Sequence, residues 1–384
     1  MTFPRSRPTS QSRRLFTQAG LGAAAALALP ALHAQGSRLV LGQSAAFSGP
    51  AAQLGIQYNA GAQLCLDLLN QQGGVNGQRI EISKLDDGYE PDRCAENTRQ
   101  LLSRCSALFG YVGTPTSLAA LPLATQAGVP FIAPFTGAMG LRQPFNRLAF
   151  HLRASYEDET ALIVRQLTGL GLKNIGVFHQ NDSYGKAGLD GVTLALAQQQ
   201  LKPLVAATVE RNSVDVAGAV RSIVAAKPQA VVQIGAYAAC AAFVREARKA
   251  GFGGSFYNVS FVGTQALADA LGKDGAGVAI SQVVPNPFST TRPVTREFLD
   301  AIARGGNKVQ ANYSSLEGYL AARLLIEGVR RAGSRAAPDA LVAGLEAIGE
   351  TSFGGFAVSL SASKHVASRF CELSMLTGDG RVRT

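Results

Sequence analysis

Two α/β units, each a doubly wound parallel sheet, are predicted by three observations on the sequence. Short apolar runs alternate with segments of helical periodicity, the pattern of a parallel sheet covered on both faces. The alternation restarts after Arg153, so it builds two units and not one. A chain of 384 residues that is 47% hydrophobic and 16% charged can fill one large or two medium cores and does not have the composition of a disordered protein.

The elements follow in order. RLVLG (38–42) reads as the first strand; Gly61, Leu64, Cys65, Leu68 and Leu69 then share one face of a helix that ends at Gly73-Gly74. RIEISKL (79–85) is a strand, and a helix opened by Pro91 turns Cys94, Thr98, Leu101 and Leu102 inward. ALFGY (107–111), a small-residue helix from Thr114 and VPFIA (129–133) complete the first rhythm. In the second, Ile163, Val164, Leu167 and Leu170 form a helical stripe, NIGVFH (174–179) is a strand and 185–199 a helix. PLVAATV (203–209), a helix at 216–226, AVVQIG (230–235), a helix at 238–250 and SFYNV (255–259) continue the alternation. Helices at 313–331 and 338–348 and the strands FAVSL (356–360) and FCELSML (370–376) close the chain.

Residues 1–34 read as an export signal: a basic start with Arg5, Arg7, Arg13 and Arg14, an apolar run from Leu21 to Leu32, and small residues before Gln35. The run is shorter than the roughly 20 residues a membrane helix needs. Ser12-Arg13-Arg14-Leu15-Phe16 resembles a twin-arginine signal, with an ordinary secretory signal as the alternative. Cleavage after Ala34 would remove four of the ten net positive charges, and no cluster of Lys and Arg interleaved with aromatics remains to suggest nucleic acid.

Five cysteines (Cys65, Cys94, Cys105, Cys240, Cys371) permit at most two bridges and form no CxxC pair. Cys94 and Cys105 would sit ~16 Å apart along one helix, too far to bridge, so buried free thiols are the reading. An enzyme would need a reactive constellation. His151, His179 and His365 belong to no HExxH, and the chain has no GxSxG, no Walker loop and no GxGxxG after a strand; the one GxGxxA, Gly20 to Ala25, lies in the export signal. Asp86 and Asp87 are adjacent on a strand, so they point to opposite sides and are read as caps of the turn before Pro91. No metal and no cofactor is expected.

Two sheets joined without a long linker imply a cleft at the carboxyl ends of their strands. FGYVGTPTSLAALPL (109–123) is such an end. Thr114 reads as N-cap and Pro115 as the first helical residue, leaving Thr116 and Ser117 with free amides and two threonine hydroxyls beside them. A helix N-terminus of this kind holds a carboxylate or phosphate, or it is a well-capped structural helix. The next strand delivers Phe135, Thr136 and Gly137 to the same place.

FSGPAAQLG, GGVNGQRIEI followed by DD, GYVGTPTSLAALPL, GVPFIAPFTGA, NDSYGKAGLDGV and FVREARKAGF occur in that order, and with them the chain resembles the leucine/isoleucine/valine-binding proteins, type I periplasmic solute receptors of ABC transporters. The likeness runs from about Leu39 to about Arg331 and more weakly beyond. It implies two lobes joined by three crossovers near Arg153, Val284 and Gly354, with 35–153 plus 285–351 in one lobe and 154–284 plus 352–384 in the other. It also implies that Thr114, flanked by Pro115 and Thr116, grips a ligand carboxylate, with Phe135, Thr136 and Gly137 forming the second gripping turn. There the family often carries a hydroxyl at the position of Gly137, and Thr136 would serve instead. Leu54 matches a pocket-wall position, and Tyr184 and Tyr237 match residues that close over the ligand.

Ser260 falls where amino-acid binders of this group tend to carry a glutamate for the ligand's ammonium, so the resemblance implies a carboxylate or amide ligand with no obligatory α-amino group. Glu157, Asp158 or Asp182 could supply that charge instead, and Ser260 could simply cap a turn. Tyr89 and Gly113 stand at positions where some members carry two cysteines. The expected protein is a periplasmic receptor with a small-molecule ligand and an ABC permease as partners. A sensor of the same fold serving a membrane kinase or regulator, and an α/β enzyme, are the alternatives.

Overall fold

The computed structural model describes residues 38–333 and 337–384, together with positions 1, 2 and 4; apart from those three positions, the expected export signal lies outside the described residues. The first rhythm folds as β1 (Arg38–Ala45), α1 (Ala52–Gln71), β2 (Arg79–Asp86), α2 (Pro91–Leu102), β3 (Ala107–Phe109), α3 (Thr114–Gln126), β4 (Phe131–Ile132) and β5 (Ala149–Phe150). Its sheet runs β2-β1-β3-β4-β5 with every pairing parallel. The buried faces of β1 and β3 supply Leu39, Leu41, Ala107 and Phe109 to the core, which is why they read as apolar runs.

The second rhythm gives α4 (Tyr156–Gly169), β6 (Ile175–Gln180), α5 (Ser183–Ala197), β7 (Val205–Val209), α6 (Ala217–Ala226), β8 (Ala230–Ile234), α7 (Tyr237–Lys249), β9 (Ser255–Asn258), α8 (Thr264–Leu271) and β10 (Ala279–Gln282). The chain then forms α9 (Pro293–Arg304), α10 (Tyr313–Ala332), α11 (Pro338–Glu346) and the hairpin of β11 (Gly349–Phe353) and β12 (Phe356–Leu360). β13 (Glu372–Leu376) and β14 (Val382–Arg383) return to the second sheet, whose order is β14-β13-β10-β9-β8-β6-β7, and they join it antiparallel. α10 packs against α1, so this late helix belongs with the first sheet. The molecule is therefore two α/β lobes, with the chain crossing from the first sheet to the second between β5 and α4.

Beside that crossing, His151 and Leu152 pair with a second connecting segment: His151 N donates to His365 O at 2.8 Å, Ala367 N to His151 O at 2.7 Å and Ser368 N to Leu152 O at 3.0 Å. α4 then starts in a capping box, Ser155 and Asp158 each accepting the other's amide. α10 starts the same way from Asn312 and Ser315.

Several local expectations shift. The strand expected at 129–133 is only Phe131–Ile132, because Pro130 and Pro134 on either side have no amide to donate. α5 begins two residues earlier than expected, since Asp182 caps it by accepting from Tyr184 N and Gly185 N. Leu170 is not on the buried stripe; it is the C-cap of α4 and 60% exposed. All five cysteines are free, four of them buried and Cys371 only partly so. Asp86 and Asp87 do diverge: Asp86 accepts from Phe47 N at 2.8 Å, whereas Asp87 accepts from Ser44 Oγ at 2.7 Å and Tyr89 N at 2.8 Å.

Candidate ligand-binding site

α3 begins one residue earlier than the sequence suggests. Gly113, not Thr114, is the N-cap, with φ of 100°, and a Cβ there would meet Tyr89 Cε2 at 2.1 Å. Tyr89 and Gly113 are thus in contact across the end of the sheet. Thr114 and Pro115 become the first helical residues, so the Thr114 hydroxyl is released from capping and lies 2.7 Å from Thr136 Oγ1. The Thr116 hydroxyl turns back to Val112 O and Gly113 O, so what residue 116 offers outward is its amide. The two strand ends are tied together: Phe135 N donates to Tyr111 O at 2.7 Å and Gly113 N to Phe135 O at 3.2 Å. Thr114, Pro115, Thr116, Phe135 and Thr136 are all buried at this junction.

Gly137 has a steric reason. A Cβ on it would fall 2.6 Å from Tyr156 Cδ1 and 2.7 Å from Tyr156 N, and Gly137 O accepts that amide at 2.8 Å. Tyr156 therefore occupies the side of the turn where a hydroxyl residue would stand. Its ring lies 5.4 Å from Tyr184, and Tyr184 lies 4.6 Å from Phe261. Phe261 in turn meets Phe135 at 5.6 Å and Tyr89 at 6.0 Å, so aromatic rings from both lobes close on one another. Among the described residues the buried Tyr184 hydroxyl has no hydrogen-bond partner, and the buried Tyr156 hydroxyl neighbours the Thr136 side chain and the Gly137 backbone without a bond of good geometry. Burial pushes both phenols above their ordinary value, so they remain neutral donors.

Of the other expected residues, Leu54 is buried at the start of α1 against Gly263, whose Cβ would lie 2.5 Å from Leu54 Cδ2. Tyr237 is half-buried at the start of α7, beside the Gln53 backbone. Ser260 is held by a buried acid. Its amide donates to Glu159 Oε2 at 2.7 Å and its hydroxyl to Glu159 Oε1 at 3.0 Å. Of the acids expected as alternatives, Asp158 is engaged by Ser155 and Arg369, and Asp182 caps α5.

The group that sequence reasoning missed is ionic. Arg153, fully buried at the crossing, pairs through Nη2 with Glu159 Oε1 at 3.4 Å and through Nε with Glu317 Oε1 at 3.6 Å. Phe135 covers its guanidinium at 4.9 Å, and Ser281 Oγ adds a third donor to Glu159 at 2.6 Å. Burial alone would lower the Arg153 guanidinium, but Glu317 and Glu159 outweigh it and hold it above its ordinary value. Burial pushes Glu317 up to about 7, against the pull of Arg153. One signal was available: Glu317 is the one charged residue in the first two turns of α10, among Tyr313, Leu316, Tyr319 and Leu320, where a solvent-facing charge is out of place.

The lobes also touch at the rim. Arg211 Nη2 donates to Glu90 Oε2 at 2.8 Å, Asn212 Nδ2 to Glu90 Oε1 at 2.7 Å and Gln180 Nε2 to Tyr89 Oη at 3.3 Å. His151, His179 and His365 each contact a backbone carbonyl, at 3.1 Å for His151 and His365 and 3.0 Å for His179. Among the described residues no group of three or more His, Cys, Asp or Glu is arranged to hold a metal.

Comparison with known proteins fits this geometry. A family described as periplasmic binding protein matches residues 39–379. The chain is similar to the structure of a possible leucine/isoleucine/valine-binding protein from Rhodopirellula baltica, at 34% identity and a TM-score of 0.87, over 91% of this chain and 96% of that one. It is also similar to a substrate-binding periplasmic protein from Ralstonia solanacearum, at 31% identity and a TM-score of 0.85, over 90% and 99%. An amino acid binding protein of Pseudomonas aeruginosa is 25% identical over 239 residues, 61% of this chain and 63% of that protein, so the match spans a little under two thirds of that relative. The two parallel-sheet lobes are the type I periplasmic binding protein fold.

Proposed function

Because the chain belongs to the periplasmic binding protein family, we propose that it is an exported receptor that captures a small carboxylate or amide between its lobes and delivers it to an ABC permease. The observation that carries this reading is the helix mouth: two threonine hydroxyls 2.7 Å apart at a helix N-terminus, beside two buried phenols, of which that of Tyr184 has no hydrogen-bond partner among the described residues. Such a mouth offers hydroxyl and amide donors and a partial positive charge to an oxyanion or a carbonyl oxygen. Capture works by closure, because the second lobe adds contacts that only the closed form makes. The basic and apolar pattern of residues 1–34 supports periplasmic export.

No α-amino group is required of the ligand. The Glu159 carboxylate beside Ser260 already takes two donors from Ser260, one from Ser281 and the charge of Arg153, so a buried ammonium would find no free carboxylate there. A second reading, an amino-acid ligand as in the names of the relatives from R. baltica and P. aeruginosa, is favoured by the same residue if an ammonium displaces Arg153 from Glu159. A sensor handing the same ligand signal to a membrane kinase would share this site and differ only in its partner.

Thermal unfolding of the mature chain, stripped of carried-over ligand by unfolding and refolding, tests the reading. The panel is benzoate, 4-hydroxybenzoate, isovalerate, short amides, leucine and valine. A ligand at a hundred times its Kd adds ~2.7 kcal/mol, a shift of a few degrees. Shifts with acids or amides and none with leucine are expected; shifts with amino acids alone would move the account to the second reading.

A further inference from the structure

We propose that Arg153 is a ligand-binding residue that holds the ligand's carboxylate together with the helix mouth, and that Glu317 releases Arg153 for this by taking up a proton. The inference rests on the receptor reading and goes beyond it, to the ionic form in which the ligand is captured.

Arg153 is fully buried, yet its Nη1 has no hydrogen-bond partner among the described residues. A buried guanidinium donor left unmet is unfavourable, and a carboxylate is the acceptor it fits best. The side chain lies in the proposed site: Phe135 covers it, and Arg142 ties its backbone to the second gripping turn, reaching Arg153 O at 3.1 Å and Thr136 O at 3.5 Å.

The two acids beside Arg153 are not equivalent. Glu159 is fixed by Ser260 and Ser281. Glu317 faces Arg153 Nε at 3.6 Å, beyond good hydrogen-bond length, and among the described residues no hydrogen bond reaches its carboxyl. Of the other groups around Glu317, Glu159 repels its charge and Arg142 attracts it without a hydrogen bond, since both Arg142 Nη atoms donate to the carbonyls of Thr136, Ala138, Arg153 and Ala154; the Tyr58 phenol donates instead to Ala133 O at 2.7 Å. A third anion brought to Arg153 therefore leaves Glu317 as the acid that gives up its charge. Glu317 already sits at about 7 before ligand arrives. Below that pH it is neutral and Arg153 is available; above it, binding must first protonate it.

Calorimetric titration with benzoate and isovalerate at pH 6 and pH 8, one unit either side of Glu317's about 7, in two buffers of different ionisation heat, tests this. The expected result is a Kd about tenfold weaker at the higher pH, with close to one proton taken up per ligand there and almost none at the lower pH. Glu317→Gln keeps the size of the protonated acid and should bind acids equally at both pH values without proton uptake. Arg153→Lys keeps the charge but loses the fork, and should weaken acids at both pH values by more than it weakens benzamide. Acids that bind with no proton uptake and no pH dependence overturn the coupling and leave the receptor intact. A pH dependence that survives in Glu317→Gln overturns the role of Glu317. If no acid binds at either pH, the carboxylate reading itself falls and the coupling falls with it.

Discussion

At the helix mouth, Thr114 and Thr136 are 22 residues apart and meet because β3 and β4 are neighbours. At the crossing, Arg153 and Glu159 share one segment but Ser260, Ser281 and Glu317 come from three others, with Glu159 bonded to residues 101 and 122 positions away. The mouth is made of neutral hydroxyls, backbone amides and a dipole, which need no counter-charge. The crossing is made of buried ions, each of which would be costly without the others. The mouth should therefore govern affinity with little effect on stability, and the crossing should govern stability as well as binding.

The strongest way to break this contrast is Arg153→Met, which strands Glu159 and Glu317 in the core. A loss of about 3–5 kcal/mol in urea unfolding is expected, and a loss no larger than that of a mouth variant would erase the distinction. Next comes Glu317→Gln. An acid raised from 4.5 to about 7 in the fold contributes stability that is fully present below 4.5 and lost as pH rises toward 7. Wild type should therefore lose up to about 3 kcal/mol across that window relative to Glu317→Gln, read from urea midpoints over a pH series.

Thr114→Val should sharpen the other side. It removes one hydroxyl from the mouth and is expected to weaken acid binding by about 2 kcal/mol, roughly thirtyfold, while unfolding shifts by about 1 kcal/mol or less. Ser260→Ala is the mildest change. Glu159 keeps the amide at 2.7 Å and Ser281 at 2.6 Å, so a stability loss of about 1 kcal/mol with unchanged ligand preference is expected from unfolding and titration together.

The same contrast explains what could be read from the sequence. The alternation of β1 to β4 and β6 to β9 with helices is local, and each strand is a short apolar run. β10 escaped because Ser281 and Gln282 are polar and buried, satisfied by Glu159, Thr264 and Ser374 through bonds that no local pattern records. β5 is two residues long and carries too little pattern. The helix mouth was legible because glycine, threonine and proline declare a turn wherever they stand. Even so, the start of α3 was one residue off, since the Tyr89 contact that favours glycine at 113 is tertiary. Arg153, Glu159 and Glu317 stayed invisible because charged residues are read as solvent-facing until a fold pairs them.

The central claim is that this cleft accepts a carboxylate and does not need an ammonium. Isovalerate and valine differ by the amino group alone, so titrating both into the refolded, ligand-free mature chain by calorimetry tests it most directly. The account expects saturable one-to-one binding of isovalerate and none of valine at the same concentrations. Binding of valine in preference to isovalerate would contradict it and assign Glu159 to the ligand's ammonium.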